Sequence, residues 1–332
     1  MENINQYKKL SAIEAAERIL EIKNPVILIH VRPDGDAVGS AAALSLIFRQ
    51  LGYQAPIKSV DKIPSRLSFI LEKTGTQTAE DTDGYTPVSI DTASPSQLGS
   101  LADTALPTLM IDHHAVGKQY ADGYIREDAS SAAEALYDVA RELENMKKIK
   151  IDSEIAYALY AAISSDTGCF AYSNTSPKTH RYAAELMEYG IDSADINHRL
   201  FSSKTEAEIK AEGYVSSKLK TAFGGRISYA TLSLEEIKSL SLDTQHFDTA
   251  IDIARSVLGA EIAFVIKETE PGKYKASLRS THADVSKIAS AFGGGGHIRA
   301  SGCSPKAKSI TEACEIILTE SIKILQNEET KE

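Results

Sequence analysis

The sequence predicts an α/β protein: an N-terminal, mainly parallel sheet flanked by helices, followed by a smaller α+β domain. Three observations predict it. Short apolar, β-branched runs alternate with helical patterns through the first half of the chain. Those runs are apolar throughout rather than at every second position, as in strands buried on both faces. In the last third a paired hairpin and separate helices replace the alternation, which is an α+β arrangement.

Taken in order, "MENINQYKKLSAIEAAERIL" is polar and then amphipathic, without the apolar core of a signal peptide. "PVILIH" (25–30) reads as a buried strand, and "AVGSAAALSLIFRQLG" (37–52) has helical apolar spacing and stops at Gly52. Further strands are expected at "TPVSID" (86–91), "PTLMID" (107–112) and "GYIRED" (123–128), and helices at 131–145, 152–165 and 178–189. "DINHRLFSSKTEAEIKAEGYVSSKLKTAFGG" is charged and helical, and reads as a connector. Beyond it come strand "RISYATLSL", a helix over 245–258 and "AEIAFVIKETEPGKYKASLRS", a hairpin turning at Pro271-Gly272. Helix "ADVSKIASAF", the run "GGGGHIRASGCS" and a helix over 309–326 complete the chain. The expected divisions are a first, larger domain over 1–195, a helical connector over 196–222 and a second domain over 223–332.

Composition narrows the function. The 332 residues are 42% hydrophobic and 25% charged, the balance of a globular protein. No apolar stretch approaches the roughly 20 residues that span a bilayer, so a cytoplasmic protein without membrane contact is expected. Cys169, Cys303 and Cys314 form no CxxC pair and indicate neither a disulfide framework nor a thiolate zinc site. A formal charge of −10 argues against gripping long duplex nucleic acid, which needs clustered Lys and Arg. A short phosphorylated nucleotide needs only a local cationic pocket.

In open α/β sheets, ligands bind beyond the carboxyl ends of the strands. There the chain places His30, Asp34 and Asp36 after the first strand, Asp91 after the second, and Asp112, His113 and His114 after the third. Asp166 follows the apolar helix "EIAYALYAAISS". One aspartate after a strand is usually a turn or helix cap, and one histidine is usually a satisfied polar group. Two adjacent imidazoles beside an acid have little structural use, and several such endings on one edge point to a site. Carboxylates and imidazoles without thiolates suit Mn²⁺ or Mg²⁺, with Co²⁺ or Zn²⁺ as substitutes. They are too many for one open catalytic ion but suffice for two, roughly 3.5–4 Å apart and bridged by a carboxylate. That arrangement hydrolyses phosphate esters. Gly35 is expected to let the "RPDGD" turn fold tightly and Pro33 to stiffen it, while Arg32 reads as a solvated charge.

Glycines allow close approach to an anion, and a helix cap needs only one of the four at Gly293, Gly294, Gly295 and Gly296. With His297 they form a candidate phosphate loop, and Arg279 is a candidate bidentate phosphate contact. Arg299 is the weaker cation of the group.

The set "HVRPDGDAVGS", "VSIDTAS", "IDHH" and "SSDTGCF" resembles the four motifs of the DHH phosphoesterase family, and "GGGGHIRASG" resembles the signature of its DHH-associated domain. The resemblance implies two Mn²⁺ ions in a cleft between the domains. His30, Asp34 and Asp91 would hold one ion, and Asp36, Asp91, His113 and Asp166 the other. His114 would face the substrate phosphate and Asp112 would support the ligands. Arg279, the glycine run, His297 and Ser301 (in Ala-Ser-Gly where relatives often have Ala-Ala-Gly) would bind the nucleotide end. The single-stranded-DNA exonucleases of the family are longer, its pyrophosphatases carry a basic motif missing here, and its membrane-tethered members need spanning segments. The compact group remains, which cleaves short oligoribonucleotides and 3′-phosphoadenosine-5′-phosphate. Cleavage of cyclic di-AMP or pApA is the alternative, a nucleotide sensor without turnover is the third reading, and a homodimer is expected by analogy.

Overall fold

The computed structural model describes residues 7–329. Contacts divide the chain into Met1–Ser203 and Lys204–Glu332.

In the first unit, β1 (Pro25–Leu28), β2 (Ile57–Lys58), β3 (Thr86–Ile90), β4 (Leu109–Asp112) and β5 (Asp122–Ile125) form a wholly parallel sheet in the order β2-β1-β3-β4-β5. Its helices are α1 (Ala12–Glu21), α2 (Gly35–Gln50), α3 (Ser68–Thr74), α4 (Leu101–Thr104), α5 (Ala132–Asn145), α6 (Ser153–Asp166), α7 (Pro177–Met187) and α8 (Ser193–Asn197). The continuous apolar runs are explained by burial on both sides. Ile27, Ile29, Val88, Ile90, Leu109 and Ile111 pack into a large core with the helices, and Val26, Leu28 and Met110 pack into a smaller one with Leu98, Leu101 and Tyr120. The order reverses between β1 and β3, which is where such sheets open a crevice for ligands.

α2 is buried at every position from Gly35 to Phe48, as a helix apolar on all sides must be. It crosses α6 closely: a Cβ on Gly39 would lie 2.7 Å from the Ala158 carbonyl oxygen and 2.8 Å from Ala162 Cβ. Gly35 behaves in the same way. It is not among the left-handed glycines, and an added Cβ would meet Ser165 Oγ at 2.2 Å. The expectation that Gly35 serves a tight turn is therefore corrected: it opens the first turn of α2 and lets α6 approach.

Both sheet edges carry extra backbone. Beyond β2, Ile57 donates to the Gln77 carbonyl (2.9 Å) and accepts from Ala79 N (2.8 Å). Beyond β5, Gly123 donates to the Lys8 carbonyl (2.9 Å) and accepts from Leu10 N (2.8 Å).

The second unit holds α9 (Glu206–Lys218), β6 (Lys220–Ala222), β7 (Ile227–Leu232), α10 (Leu234–Ser239), α11 (Ile251–Arg255), β8 (Ile262–Glu270), β9 (Lys273–Ser280), α12 (Val285–Ala291), β10 (Gly295–His297), β11 (Ala300–Cys303) and α13 (Ile310–Glu329). The sheet runs β10-β11-β9-β8-β7-β6, with β7 and β8 parallel and the other neighbours antiparallel. One face packs on α12 and α13, and the other on α9, α10 and α11. Two expectations change. The helix expected over 245–258 is a 3₁₀ turn (Thr244–Phe247) followed by the short α11. The break lets Asp248 pair with the buried Lys267 while Phe247, Ile251 and Ala254 still reach the core. Half of the glycine run is not loop but strand, because Gly295, Gly296 and His297 pair with β11.

Candidate metal centre

β1 ends at Leu28, and the chain then turns through a left-handed Arg32 (φ 56°) into α2. Asp34 caps α2, its Oδ1 accepting from Ala37 N at 3.0 Å. The same oxygen lies 3.7 Å from His30 Nε2, so the cap and the candidate ligand are one carboxylate. His30 Nδ1 sits 2.7 Å from the Val31 carbonyl. That contact places the proton on Nδ1 and leaves Nε2 facing the acids, as metal-binding imidazoles are usually arranged.

Asp36 is 2% exposed. Its two oxygens accept from Ala132 N (2.7 Å) and Ala133 N (3.2 Å), the first N–H groups of α5, and Ser40 Oγ donates to it at 2.8 Å. A helix N-terminus stabilises negative charge, so α5 offsets part of the cost of burying this carboxylate and fixes both its oxygens.

Asp91 follows β3 directly with φ at 53°. A left-handed non-glycine residue is a strained choice, and such strain concentrates at functional sites. The segment is clamped by Tyr120, whose hydroxyl reaches Ser89 Oγ (2.9 Å) and the Thr92 carbonyl (3.1 Å). The turn sets the Asp91 carboxylate between two imidazoles, 3.5 Å from His30 Nε2 and 3.5 Å from His113 Nε2.

His113 Nε2 also lies 3.8 Å from Asp36 and 3.8 Å from Asp166, the last residue of α6. His114 Nδ1 is 2.8 Å from Asp112 Oδ1, so the buried Asp112 orients this ring. Three trios bring their ligand atoms within 4.8 Å of one another: His30, Asp34 and Asp91; Asp36, His113 and Asp166; and Asp91, His113 and His114.

The electrostatics test whether cations fit. Burial opposes charge on His30, but Asp34 and Asp91 outweigh it and lift the imidazole to about 11. His113 is treated alike by Asp91 and Asp36 and rises to about 10. Burial and the neighbouring Asp91 push Asp36 well up, and burial brings Asp166 to about 7. Burial would raise Asp91 too, yet hydrogen bonds from His113 and His30 hold it far below the usual carboxylate range. Five acids around three imidazoles call for positive charge, and oxygen with imidazole nitrogen is the donor set of hard to borderline divalent ions. The residues fit a divalent-metal site.

The candidate substrate residues all lie in the second unit. Arg279 is half-buried on β9, level with Ala300 of β11 and Ala263 of β8, and its Nη1 donates to the Leu278 carbonyl at 3.0 Å. His297, Gly295 and Gly296 are exposed on the edge strand. Gly293 (φ 68°) ends α12, with Gly293 N bonding the Ser290 carbonyl and Gly294 N the Ala289 carbonyl, the Schellman arrangement of a helix stop. Ser301 is 5% exposed, and its hydroxyl donates to the His297 carbonyl at 2.7 Å, inside the hairpin. Arg299 Nη1 braces the Ala283 carbonyl at 2.8 Å. Sequence reasoning missed the α5 N–H groups and Ser40 that hold Asp36. The "SSAAE" capping pattern (130–134) was their only local signal.

Known proteins resemble the chain over most of its length. The DHH family N-terminal domain matches residues 24–163, and the DHHA1 domain matches residues 229–320. A bifunctional oligoribonuclease and PAP phosphatase of Thermus thermophilus is 30% identical over 307 residues, covering 91% of each chain. Its Bacillus subtilis counterpart is 28% identical over 86% of this chain and 91% of its own. An exopolyphosphatase-related protein from Bacteroides fragilis superposes with a TM-score of 0.83 at 22% identity, covering 93% of this chain and 94% of that one, and so shares the fold. No helix among the described residues is long and apolar enough to cross a membrane. With four motifs converging on one sheet edge and relatives aligned over nearly their whole length, the chain belongs to the DHH family of phosphoester hydrolases.

Proposed function

We propose that the chain is a Mn²⁺-dependent phosphoesterase for short phosphorylated nucleotides, releasing mononucleotides from oligoribonucleotides, converting 3′-phosphoadenosine-5′-phosphate to AMP, or both. The observation that carries this reading is the Asp91-centred cluster, whose ligand atoms already lie at coordinating separations. The names of the relatives supply the substrate class. His30, Asp34 and Asp91 are assigned to one ion, and Asp36, Asp91, His113 and Asp166 to the other, with Mg²⁺ or Co²⁺ as substitutes. When bound, two such ions supply Lewis acidity toward a phosphate oxygen and an ionised water near neutral pH.

The chain's own residues do the positioning. Asp91 is held between His30 and His113 and is the natural shared carboxylate. Asp36 is fixed in orientation by the N–H groups of α5. His114, fixed through Nδ1 by Asp112, is assigned to the substrate phosphate. Arg279, Gly293, Gly294, Gly295, Gly296 and His297 are assigned to the nucleotide end, and the hydroxyl of Ser301 to shaping their hairpin. The overall acidity fits a short substrate rather than a long duplex.

The test is a substrate panel with Mn²⁺: a ladder of two- to ten-nucleotide RNAs, 3′-phosphoadenosine-5′-phosphate, pApA and cyclic di-AMP. Release of AMP or mononucleotides from either of the first two is expected. Activity confined to cyclic di-AMP or pApA would move the substrate assignment, and no hydrolysis of any member would overturn the reading.

A further inference from the structure

Arg126 lies outside every motif, yet it is 7% exposed. Its guanidinium spreads over three acids. Nε and Nη2 bind the two oxygens of Asp128 (3.0 and 2.9 Å), Nη1 binds Asp138 (2.5 Å), and Nη2 lies 3.9 Å from Glu134 Oε2. Glu134 is fully buried and takes a hydrogen bond from Ser130 Oγ (2.6 Å) on its other oxygen, while Oε2 has no hydrogen bond among the described residues. The Arg126 charge is therefore what balances that carboxylate.

These contacts fasten two pieces of backbone. The first is the turn from Arg126 to Ala129, closed by the bond from Ala129 N to the Arg126 carbonyl (2.9 Å) and anchored to β4 by Arg126 N on the Asp112 carbonyl (2.9 Å). The Ala129 carbonyl stands 3.4 Å from His113 Nδ1. The second is the start of α5, where Glu134 in the first turn and Asp138 in the second project toward Arg126 and where Ala132 N and Ala133 N hold Asp36. The backbone contacts of Asp36 with α5 and of His113 with Ala129 thus run back to one buried guanidinium. No such contact leads from Arg126 to His30 or Asp34. Only a planar, forked cation can hold Asp128 bidentately and still reach two other acids.

We propose that Arg126 is a positioning residue for one of the two metal sites, setting the Asp36–His113–Asp166 site through α5 and the Ala129 carbonyl while leaving the His30–Asp34 site alone. This rests on the two-ion reading above. The experiment is titration of the metal-stripped protein with Mn²⁺, reading free Mn²⁺ by electron paramagnetic resonance, for wild type, Arg126→Met, Asp128→Asn and, as the reference for the other site, His30→Ala. Asp128 has an exposed side chain, so Asp128→Asn keeps the test open where Arg126→Met folds poorly. Two binding events are expected in wild type. In Arg126→Met one of them should weaken by roughly ten- to a hundredfold, the usual effect of losing an outer partner of a metal ligand. Asp128→Asn should weaken the same event less, and His30→Ala should weaken the other. Wild-type affinity at both sites in Arg126→Met and Asp128→Asn would overturn the inference, as would equal weakening of both. A wild type that binds no Mn²⁺ would instead overturn the two-ion reading itself, and this inference with it.

Discussion

Substituting Gly39 with alanine tests whether the close crossing of α2 and α6 sets the spacing of the acids at their ends. Asp34 and Asp36 begin α2 and Asp166 ends α6. The new Cβ would sit 2.7 Å from the Ala158 carbonyl oxygen and 2.8 Å from Ala162 Cβ, where carbon contacts are comfortable only near 3.5–4.0 Å. The obstructing oxygen is backbone, so it cannot swing aside, and the helices must part by about 0.7 Å at this point. Overpacking of this kind costs about 1–3 kcal/mol, and alanine's better helix propensity offsets about 1 kcal/mol of it. The net loss, about 1 kcal/mol, corresponds to a Tm lower by about 2–4 °C for a unit of this size. The same displacement moves Asp36 relative to Asp166, so Mn²⁺ affinity should fall as well. Scanning calorimetry of the metal-free protein and a Mn²⁺ titration measure the two effects. A variant that melts at or above the wild-type temperature and binds Mn²⁺ equally well would refute the idea that this contact spaces the acids.

Three further outcomes are expected. Asp91→Gly keeps the left-handed backbone accessible but removes the carboxylate assigned to both ions; turnover should vanish, and because His30 and His113 lose the acid they pair with the metal-free variant should melt below wild type, while full turnover would remove Asp91 from the centre. Mn²⁺ at a hundred times its Kd should stabilise the folded chain by about 2.7 kcal/mol per site, a rise of roughly 5–10 °C that chelator reverses; a melting curve indifferent to Mn²⁺ would contradict a folded-state metal site. Arg279→Ala and His297→Ala should raise KM for nucleotide substrates with kcat changed little, and an unchanged KM in both would take these residues out of substrate binding.

The strands with long apolar runs, and the acids that end them, were legible because each is a local pattern: a buried strand followed by an abrupt polar residue. β2 was not, since two residues carry no periodicity and Ile57 is a strand only because β1 lies beside it. The glycine run misled for a different reason. Its glycines look alike in sequence, but Gly293 stops a helix while Gly296 opposes Ser301 across a hairpin. At the centre itself, the side chains were readable and their supports were not. Nothing in the letters around Asp36 reveals that Ala132 and Ala133, 96 and 97 positions later, donate to it. Arg126 reads as an ordinary surface charge until the fold surrounds it with acids.

The covered edges of the first sheet bear on how copies of this chain meet. An open strand edge offers unpaired N–H and C=O groups to any extended neighbour, and misassembly begins there. Here β2 has already spent its outer bonds on Gln77 and Ala79, and Gly123 of β5 has spent its own on Lys8 and Leu10, with Lys8 and Lys9 exposed at that margin. A partner docking at Ile57 or Gly123 would first have to displace native backbone. Association of two copies through this unit is thereby steered away from strand addition at those points and toward side chains on helices and loops, contacts that can be tuned or reversed by single surface substitutions.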